Sequence, residues 1–468
     1  MNSIWTDTAV LQKRNSLKGD LDAEVVIIGA GLAGILTGYM LKKKGIDAVI
    51  LEGNRIGSGQ TGRTTAKITS QHGAVCGKLI QIYGREKAKH YVGFQEWAIG
   101  EYERIVKEYK ISCDFMRCNG SLYSTTEEET LKREAEAATG LGIQAVYRKE
   151  CELPFPVKSV LTYENQARFH PLKFIKGISE KLRIFEETRV RKVLYDGQGK
   201  SRVMSDSGTV TAGKVVFACH FPFVNVPGYY FARMYQSRSY VLALKGAQSF
   251  EGYYLGIESD GYSFRSAGDS LLFGGCGHRT GEAGEVDNSS LTADKKEIMT
   301  GYERLSDKAQ ELWPDAKEAS RWSAQDCMTL DGIPYIGEFS PHRRKGWYVM
   351  TGFGKWGMTQ SMVSARIISC MIEGMRIPEA DVFSPQRNIH MSGVKEFSVN
   401  QKTAVKNLAS PKHTKRCTHM GCKLAWNPQE GTWDCPCHGS RFDREGRLLD
   451  GPAIRDEVKD DANGLLTI

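Results

Sequence analysis

No stretch of this sequence stays apolar for long enough to cross a membrane. The longest apolar run, Val25 to Leu41, carries four glycines and falls short of the ~20 residues a membrane helix needs. The N-terminal segment MNSIWTDTAVLQKRNSLKGDLDAE lacks an apolar core behind its charges, so no secretory signal is read and a cytoplasmic location is expected. A long basic block is missing too. The formal net charge of +8, from 63 basic and 55 acidic residues, is mild, and nucleic acid is not expected as a partner. Solenoid repeats and low-complexity tracts are lacking. With 41% hydrophobic and 25% charged residues the composition is that of a globular protein. Its 468 residues are enough for at least two domains.

Cysteine is present in a pattern that argues against a disulfide scaffold. Of twelve, eight are scattered between Cys76 and Cys370, where small buried hydrophobes are expected. The other four, Cys417, Cys422, Cys435 and Cys437, fall within twenty-one residues. That clustering requires a chemical reason.

At the other end of the chain, AEVVIIGAGLAGILTGYMLKKKGIDAVILEG reads as strand, glycine turn, helix and second strand, closing on Glu52. Gly29 permits the sharp turn, Gly31 lets backbone approach a pyrophosphate, and Gly34 lets helix and strand pack closely. The helix N-terminus offers amides to phosphates. Glu52 can accept hydrogen bonds from both ribose hydroxyls. This order of elements predicts dinucleotide binding, without deciding between FAD and NAD.

After Glu52 comes GNRIGSGQTGRTTAKITSQHG, a loop dense in Gly, Thr and Ser that includes Thr64 and Thr65. It resembles the segment after the second strand in the FAD-dependent D-amino-acid oxidase family. ETRVRKV (187–193) resembles the family's adenine-contacting strand, with Val190 as the contact, and KVVFACHFPF (214–223) resembles the strand that closes over the nucleotide, with Ala218 near it. TLDGIPYIGEF and WYVMTGFGKWGMTQSMVSARIISCMI resemble its last signature, which would bring Gly352, Gly354, Gly357 and Met358 to the flavin. The resemblance spans about residues 20–380 and implies FAD as cofactor. It also implies an α/β fold: a Rossmann-like FAD-binding domain with an inserted α+β substrate domain built on an antiparallel sheet.

The expected FAD subdomain comprises 20–75, 155–225 and 320–382, and the substrate subdomain 76–154 and 226–319, within an oxidoreductase unit of 1–385. The runs SYVLALKG and SLLFGGCG read as strands of that sheet. Tyr91, Phe94, Trp97, Ala98, Tyr102, Ile105 and Tyr109 recur at helical spacing and predict a core-facing helix.

CTHMGC (417–422) and CPCHGS (435–440) offer Cys417, His419, Cys435 and His438 as CxH, fifteen residues, CxxH. Two thiolates and two imidazoles suit a tetrahedral zinc or a [2Fe-2S] centre with two histidines on one iron. One Cys and one His per loop favours the binuclear cluster over a zinc finger. Both loops resemble those of Rieske iron–sulfur proteins, so a small all-β Rieske domain is expected at 411–468, after a linker and helix at 386–410. By the same resemblance Cys422 and Cys437 would form the disulfide seen in the respiratory and photosynthetic types. Ser440 would donate a hydrogen bond to sulfur, and GPA (451–453) would form the proline loop over the cluster.

Two departures from that pattern stand out. Phe442 replaces a tyrosine whose hydroxyl bonds a ligand sulfur in the respiratory type. This predicts a potential below that type, within the range of about −150 to +300 mV. Only eight residues, ASPKHTKR, separate the helix EFSVNQKTAVKNL from Cys417, so the base sheet is curtailed. Either earlier residues supply the missing strands, or the subdomain leans on the oxidase unit, or cluster loading is impaired.

A flavin takes two electrons and releases them singly, and a [2Fe-2S] centre carries one. The expected function is therefore FAD-dependent dehydrogenation of a small molecule, an amine or amino acid by analogy, with electrons leaving through the cluster to an unknown acceptor. Flow from an external donor through the cluster to the flavin, and a non-catalytic redox sensor, are the alternatives. Lys67 is a candidate beside the flavin and Arg265 a candidate clamp for a substrate carboxylate. His170, His220 and His278 lie beside these motifs and are expected to be structural.

Overall fold

The computed structural model describes residues 2–282, 300–388, 393–410 and 414–457. Three sheets organise them. The first has eight strands, and its centre is Leu21–Ile28, which pairs in parallel with Ala48–Leu51 on one side and Gly208–Phe217 on the other. Arg183–Phe185 and Trp347–Thr351 extend the parallel set outward. Val25, Val26, Ile27 and Ile28 are all buried, as a strand covered on both faces must be. Helix Leu32–Lys43 crosses one face and packs on helix Gly357–Ile372.

Two glycines make the turn between strand and helix possible. Gly29 adopts φ +109°, and a Cβ there would lie 2.6 Å from the Ala218 carbonyl oxygen. A Cβ on Gly34 would run into the Gly29 carbonyl oxygen. The helix can therefore sit against the turn only if both positions lack side chains.

The second sheet has nine strands, in the order 317–329, 234–245, 270–279, 263–267, 253–256, 116–124, 159–168 and 67–68, with 145–148 paired beside 159–168. It contains both expected runs, SYVLALKG and SLLFGGCG. The sheet is not purely antiparallel, because Tyr253–Gly256 runs parallel to Met116–Ser124. Strands Ser159–Arg168 and Lys317–Thr329 belong to it, although 155–225 and 320–382 are expected in the FAD subdomain. Both strands pair through long hydrogen-bonded ladders with neighbours that are remote in sequence, which local pattern cannot reveal.

The predicted core-facing helix spans Arg85–Glu108 and buries Tyr91, Phe94, Ala98, Tyr102 and Ile105. Tyr109 caps its end and is exposed.

The third sheet is antiparallel and small: Ala425–Asn427, Thr432–Asp434, Arg441–Phe442 and Leu448–Asp450. Its core gathers Cys417, Cys422, Leu424, Cys435, Cys437, Phe442 and Ala453. Helix Val394–Leu408 precedes it and buries none of its own residues fully. Among the described residues no helix is long and apolar enough to cross a membrane.

So small a sheet is stabilised by its neighbour. Arg238, fully buried on the strand Met234–Lys245, donates to Asp434 Oδ2 at 2.8 Å, to Gln325 Oε1 at 2.8 Å and to Ser323 Oγ at 2.9 Å. Arg441 pairs with Glu430 at 3.2 Å, and the Tyr302 hydroxyl donates to Glu430 at 2.8 Å. Of the three alternatives for the curtailed base, the second is found: the cluster-loop unit leans on the nine-stranded sheet.

Candidate functional sites: a dinucleotide cavity and a two-cysteine, two-histidine centre

A cavity of about 970 Å³ opens where the two large sheets meet, at the upper end of ordinary ligand pockets of about 300–1,000 Å³. Its wall includes Gly29, Gly31, Glu52, Thr64, Thr65 and Lys67, and further along Val190, Ala218, Gly352, Gly357 and Met358. Residues from segments more than three hundred positions apart are thus brought to one surface. Gly34 and Gly354 are not on the wall, and Gly34 acts from behind by letting the helix approach.

The residues on the wall fit a dinucleotide. Gly29 and Gly31 present bare backbone ahead of a helix N-terminus, and the Thr61 hydroxyl accepts from the Leu32 amide at 3.0 Å. Glu52 is held by backbone amides: Ala30 N–H donates to Oε2 at 2.7 Å and Asn54 N–H to Oε1 at 2.8 Å. Burial pushes its carboxyl upward against the pull of those amides.

At the far end Lys67 Nζ donates to Ser263 Oγ at 2.5 Å. Burial, with the Arg265 guanidinium nearby, pushes the Lys67 ammonium down to about 7. Asp326, Lys355 and Trp356 share this wall. Burial also pushes Asp326 upward, although Lys355 and His220 pull it down. Asp326 carries no signal in the sequence, because it reaches the wall only through sheet pairing, and Lys355 and Trp356 lie inside the signature at 347–372, where the resemblance points to the glycines and Met358 beside them.

Arg265 is not on the cavity wall. It is 3% exposed, donates to the Phe169 carbonyl at 2.8 Å and stacks 5.0 Å from the Trp5 ring. The expected clamp for a substrate carboxylate is therefore turned away from the cavity. His170 caps helix Pro171–Ser179 and meets the Thr8 hydroxyl at 2.9 Å. His278 meets the Tyr240 hydroxyl at 2.9 Å. Both are structural. His220 lies on the cavity wall, its Nε2 3.0 Å from Gln236 Oε1.

The two cysteine–histidine loops have one backbone form. In the first, Cys417 N–H donates to the Cys422 carbonyl and Gly421 N–H to the Cys417 carbonyl, both at 2.9 Å. In the second, Cys435 N–H donates to the Ser440 carbonyl at 2.8 Å and Gly439 N–H to the Cys435 carbonyl at 2.9 Å. Gly421 and Gly439 both adopt φ +78°, so each loop needs its glycine four residues after the leading cysteine.

The loops bring His419 and His438 face to edge, with ring centroids 4.9 Å apart. His419 Nε2 lies 2.8 Å from Asn225 Oδ1, an acceptor, so Nε2 carries the proton and Nδ1 keeps its lone pair. Nδ1 of both histidines is buried without a hydrogen-bond partner. Burial pushes His419 down to about 4 and His438 to about 3, so both rings are neutral at pH 7. Two neutral imidazoles with free, buried lone pairs beside two thiols that bond one another, Cys417 and Cys435, are a donor set that fits a Rieske cluster.

One expectation fails here. Cys422 and Cys437 do not form a disulfide; all described cysteines are free. The sulfurs of Cys422, Cys435 and Cys437 lie within 4.8 Å of one another. Cys422 hydrogen-bonds to both of the others, which places the three as neighbouring thiols instead of at the ~2.05 Å of a covalent S–S bond.

These sites define an FAD-dependent oxidoreductase that carries a Rieske [2Fe-2S] centre. The DAO family, FAD dependent oxidoreductase, matches residues 24–371, and the Rieske [2Fe-2S] domain family matches 406–460. The chain belongs to the DAO family of FAD dependent oxidoreductases, with a C-terminal Rieske domain. It is 33% identical to the putative Rieske 2Fe-2S iron-sulfur protein YhfW of Bacillus subtilis, over 97% of this chain and 96% of that one. It is 22% identical to gamma-glutamylputrescine oxidoreductase of Escherichia coli, over 77% of this chain and 86% of that one. Among solved structures, glycine oxidase from Geobacillus kaustophilus superposes with a TM-score of 0.62 at 17% identity, covering 79% of this chain and 99% of that one. That likeness is one of fold.

Proposed function

We propose that the enzyme dehydrogenates a small amine or amino acid in the cavity and passes the electrons singly through the Rieske centre to an external acceptor. The supporting observation is the placement of the histidine edge. His438 packs against Phe221 at 5.9 Å between ring centroids, and Phe221 belongs to the segment 218–223 that walls the cavity. His438, which would help to hold the cluster, thus lies on the side of the Rieske unit that meets the cavity wall.

When bound, FAD supplies hydride acceptance and the [2Fe-2S] centre supplies one-electron transfer. Gly29, Gly31, Glu52, Thr64, Thr65, Val190, Ala218, Gly352, Gly357 and Met358 are proposed to hold the FAD. Cys417, His419, Cys435 and His438 are proposed to hold the cluster. A substrate amine must be neutral to give up a hydride. Lys67, neutral above about 7, is placed to take that proton, and Asp326 can accept a hydrogen bond from the amine. Gamma-glutamylputrescine oxidoreductase among the similar proteins supports an amine or amino acid as the substrate class. With Arg265 facing away from the cavity, no carboxylate on the substrate is required.

Anaerobic stopped-flow mixing with candidate amines and amino acids tests the direction. Bleaching of the flavin before the reduced-cluster signal appears is expected. The reverse order would overturn the proposal in favour of flow from cluster to flavin.

A further inference from the structure

The dinucleotide cavity is not walled by the oxidoreductase unit alone. Leu448, Leu449, Asp450, Gly451, Ala453 and Ile454, all from the C-terminal Rieske unit, line it together with Glu52, Arg189 and Val190. This is the end of the cavity that the ribose-binding acid and the adenine-contacting strand define. The segment is anchored on both sides. Arg191, one residue beyond Val190, donates to the Ile454 carbonyl. On the other side, Ala453 N–H donates to Ser440 Oγ at 3.1 Å. Gly451, at φ +102°, lies so close to the Ser440 backbone that a Cβ would collide with it.

Ser440 in turn meets a proposed cluster ligand, because its hydroxyl hydrogen-bonds Cys417 sulfur. A continuous chain therefore runs from Cys417 through Ser440 and Ala453 to the cavity wall. Charge fits the placement. Burial opposes ionisation of Asp450, but His220, Arg63, Arg441 and the Gly451 amide outweigh it and hold the carboxylate below its usual range. Asp450 faces the cavity as an acceptor beside Glu52, matching the hydroxyl donors of a ribose. Leu448 and Leu449 add apolar surface next to Val190.

We infer that the segment 448–454 of the Rieske unit is a structural part of the FAD site, capping its adenosine end, so that the two cofactors stabilise each other's binding. This rests on the reading that the cavity holds the FAD, and it is independent of the direction of electron flow. FAD cannot enter or leave at that end without displacing the cap, and a cluster that orders Cys417 also orders the cap through Ser440. By linkage, whatever FAD gains from the cap the cluster unit gains from FAD.

The test is the FAD release rate of the holoprotein, followed by flavin fluorescence on dilution, with the cluster's absorption and electron paramagnetic resonance spectra as the check on folding. Leu449 is 39% exposed, so Leu449→Ala is tolerable, and Asp450→Asn keeps its shape. Both variants are expected to release FAD about tenfold faster with an unchanged cluster spectrum. Glu52→Gln serves as the control for the cavity itself. Wild-type release in both cap variants, with faster release in Glu52→Gln, overturns the cap and leaves the cavity reading standing. Wild-type release in all three overturns both.

Discussion

Lys67 changes charge near neutral pH because its ammonium is buried in the cavity wall with the Arg265 guanidinium nearby. Below about 7 it is a cation, and above it is a free amine able to accept a proton. The rate of flavin reduction is therefore expected to rise as pH increases through about 7, and Lys67→Met should flatten that limb and slow the reaction by about 10²-fold or more. Stopped-flow profiles of the two proteins check this. Phe442 is fully buried in the core around the cluster cysteines. A tyrosine there would add a donor that stabilises the more negative, reduced centre. Phe442→Tyr should raise the midpoint potential by about 40 mV for each ~1 kcal/mol of preferential stabilisation. A redox titration showing an unchanged or lowered midpoint would count against it. Part of this residue chemistry was legible: Gly29, Gly31 and Glu52, read from spacing, stand on the cavity wall, and the two cysteine–histidine loops come together. Arg265 was misread because burial against Trp5 and Phe169 comes from the N-terminal segment and from the residue that follows the strand Ser159–Arg168.

The turn between Leu21–Ile28 and the helix Leu32–Lys43 leaves no room for a side chain at Gly34. Gly34→Ala should destabilise the protein by about 1–3 kcal/mol, through overpacking against the Gly29 carbonyl, and lower FAD occupancy in the purified protein. Urea unfolding followed by flavin fluorescence measures both effects. The first parallel unit was legible because strand, turn, helix and acid follow one another within thirty-two residues. The strands Ser159–Arg168 and Lys317–Thr329 were not assigned to their sheet. Their partners, Met116–Ser124 and Met234–Lys245, are chosen by long-range pairing, and a strand's own pattern does not state which sheet receives it.

Among the described residues the Rieske unit has four short strands and could bury little by itself. Its base is the oxidoreductase sheet, joined to it by the Arg238–Asp434 pair, whose side chains are 0% and 2% exposed. Asp434→Asn removes the carboxylate that Arg238 and Arg441 both pair with and should cost about 3–5 kcal/mol. Loss of the cluster absorption at a lower urea concentration than in wild type is the expected readout. On heating, flavin release and cluster bleaching are expected to coincide, since each cofactor site contains residues of the other's unit. Two separate transitions would indicate that the units open independently.

The sequence by itself determined the families of this protein, and through them its two cofactors and the order of the two regions. Those features depend on short-range spacing, where a tight turn, a helix N-terminus or a glycine-closed loop places its ligands within a few residues. Only the tertiary structure decided that His438 packs against the cavity wall at Phe221, that Arg265 lies off that wall, that Cys422 and Cys437 remain thiols, and that the curtailed Rieske unit rests on its neighbour. Each of these depends on which distant surface buries which group, and burial is set by the whole packed chain and not by any stretch of it.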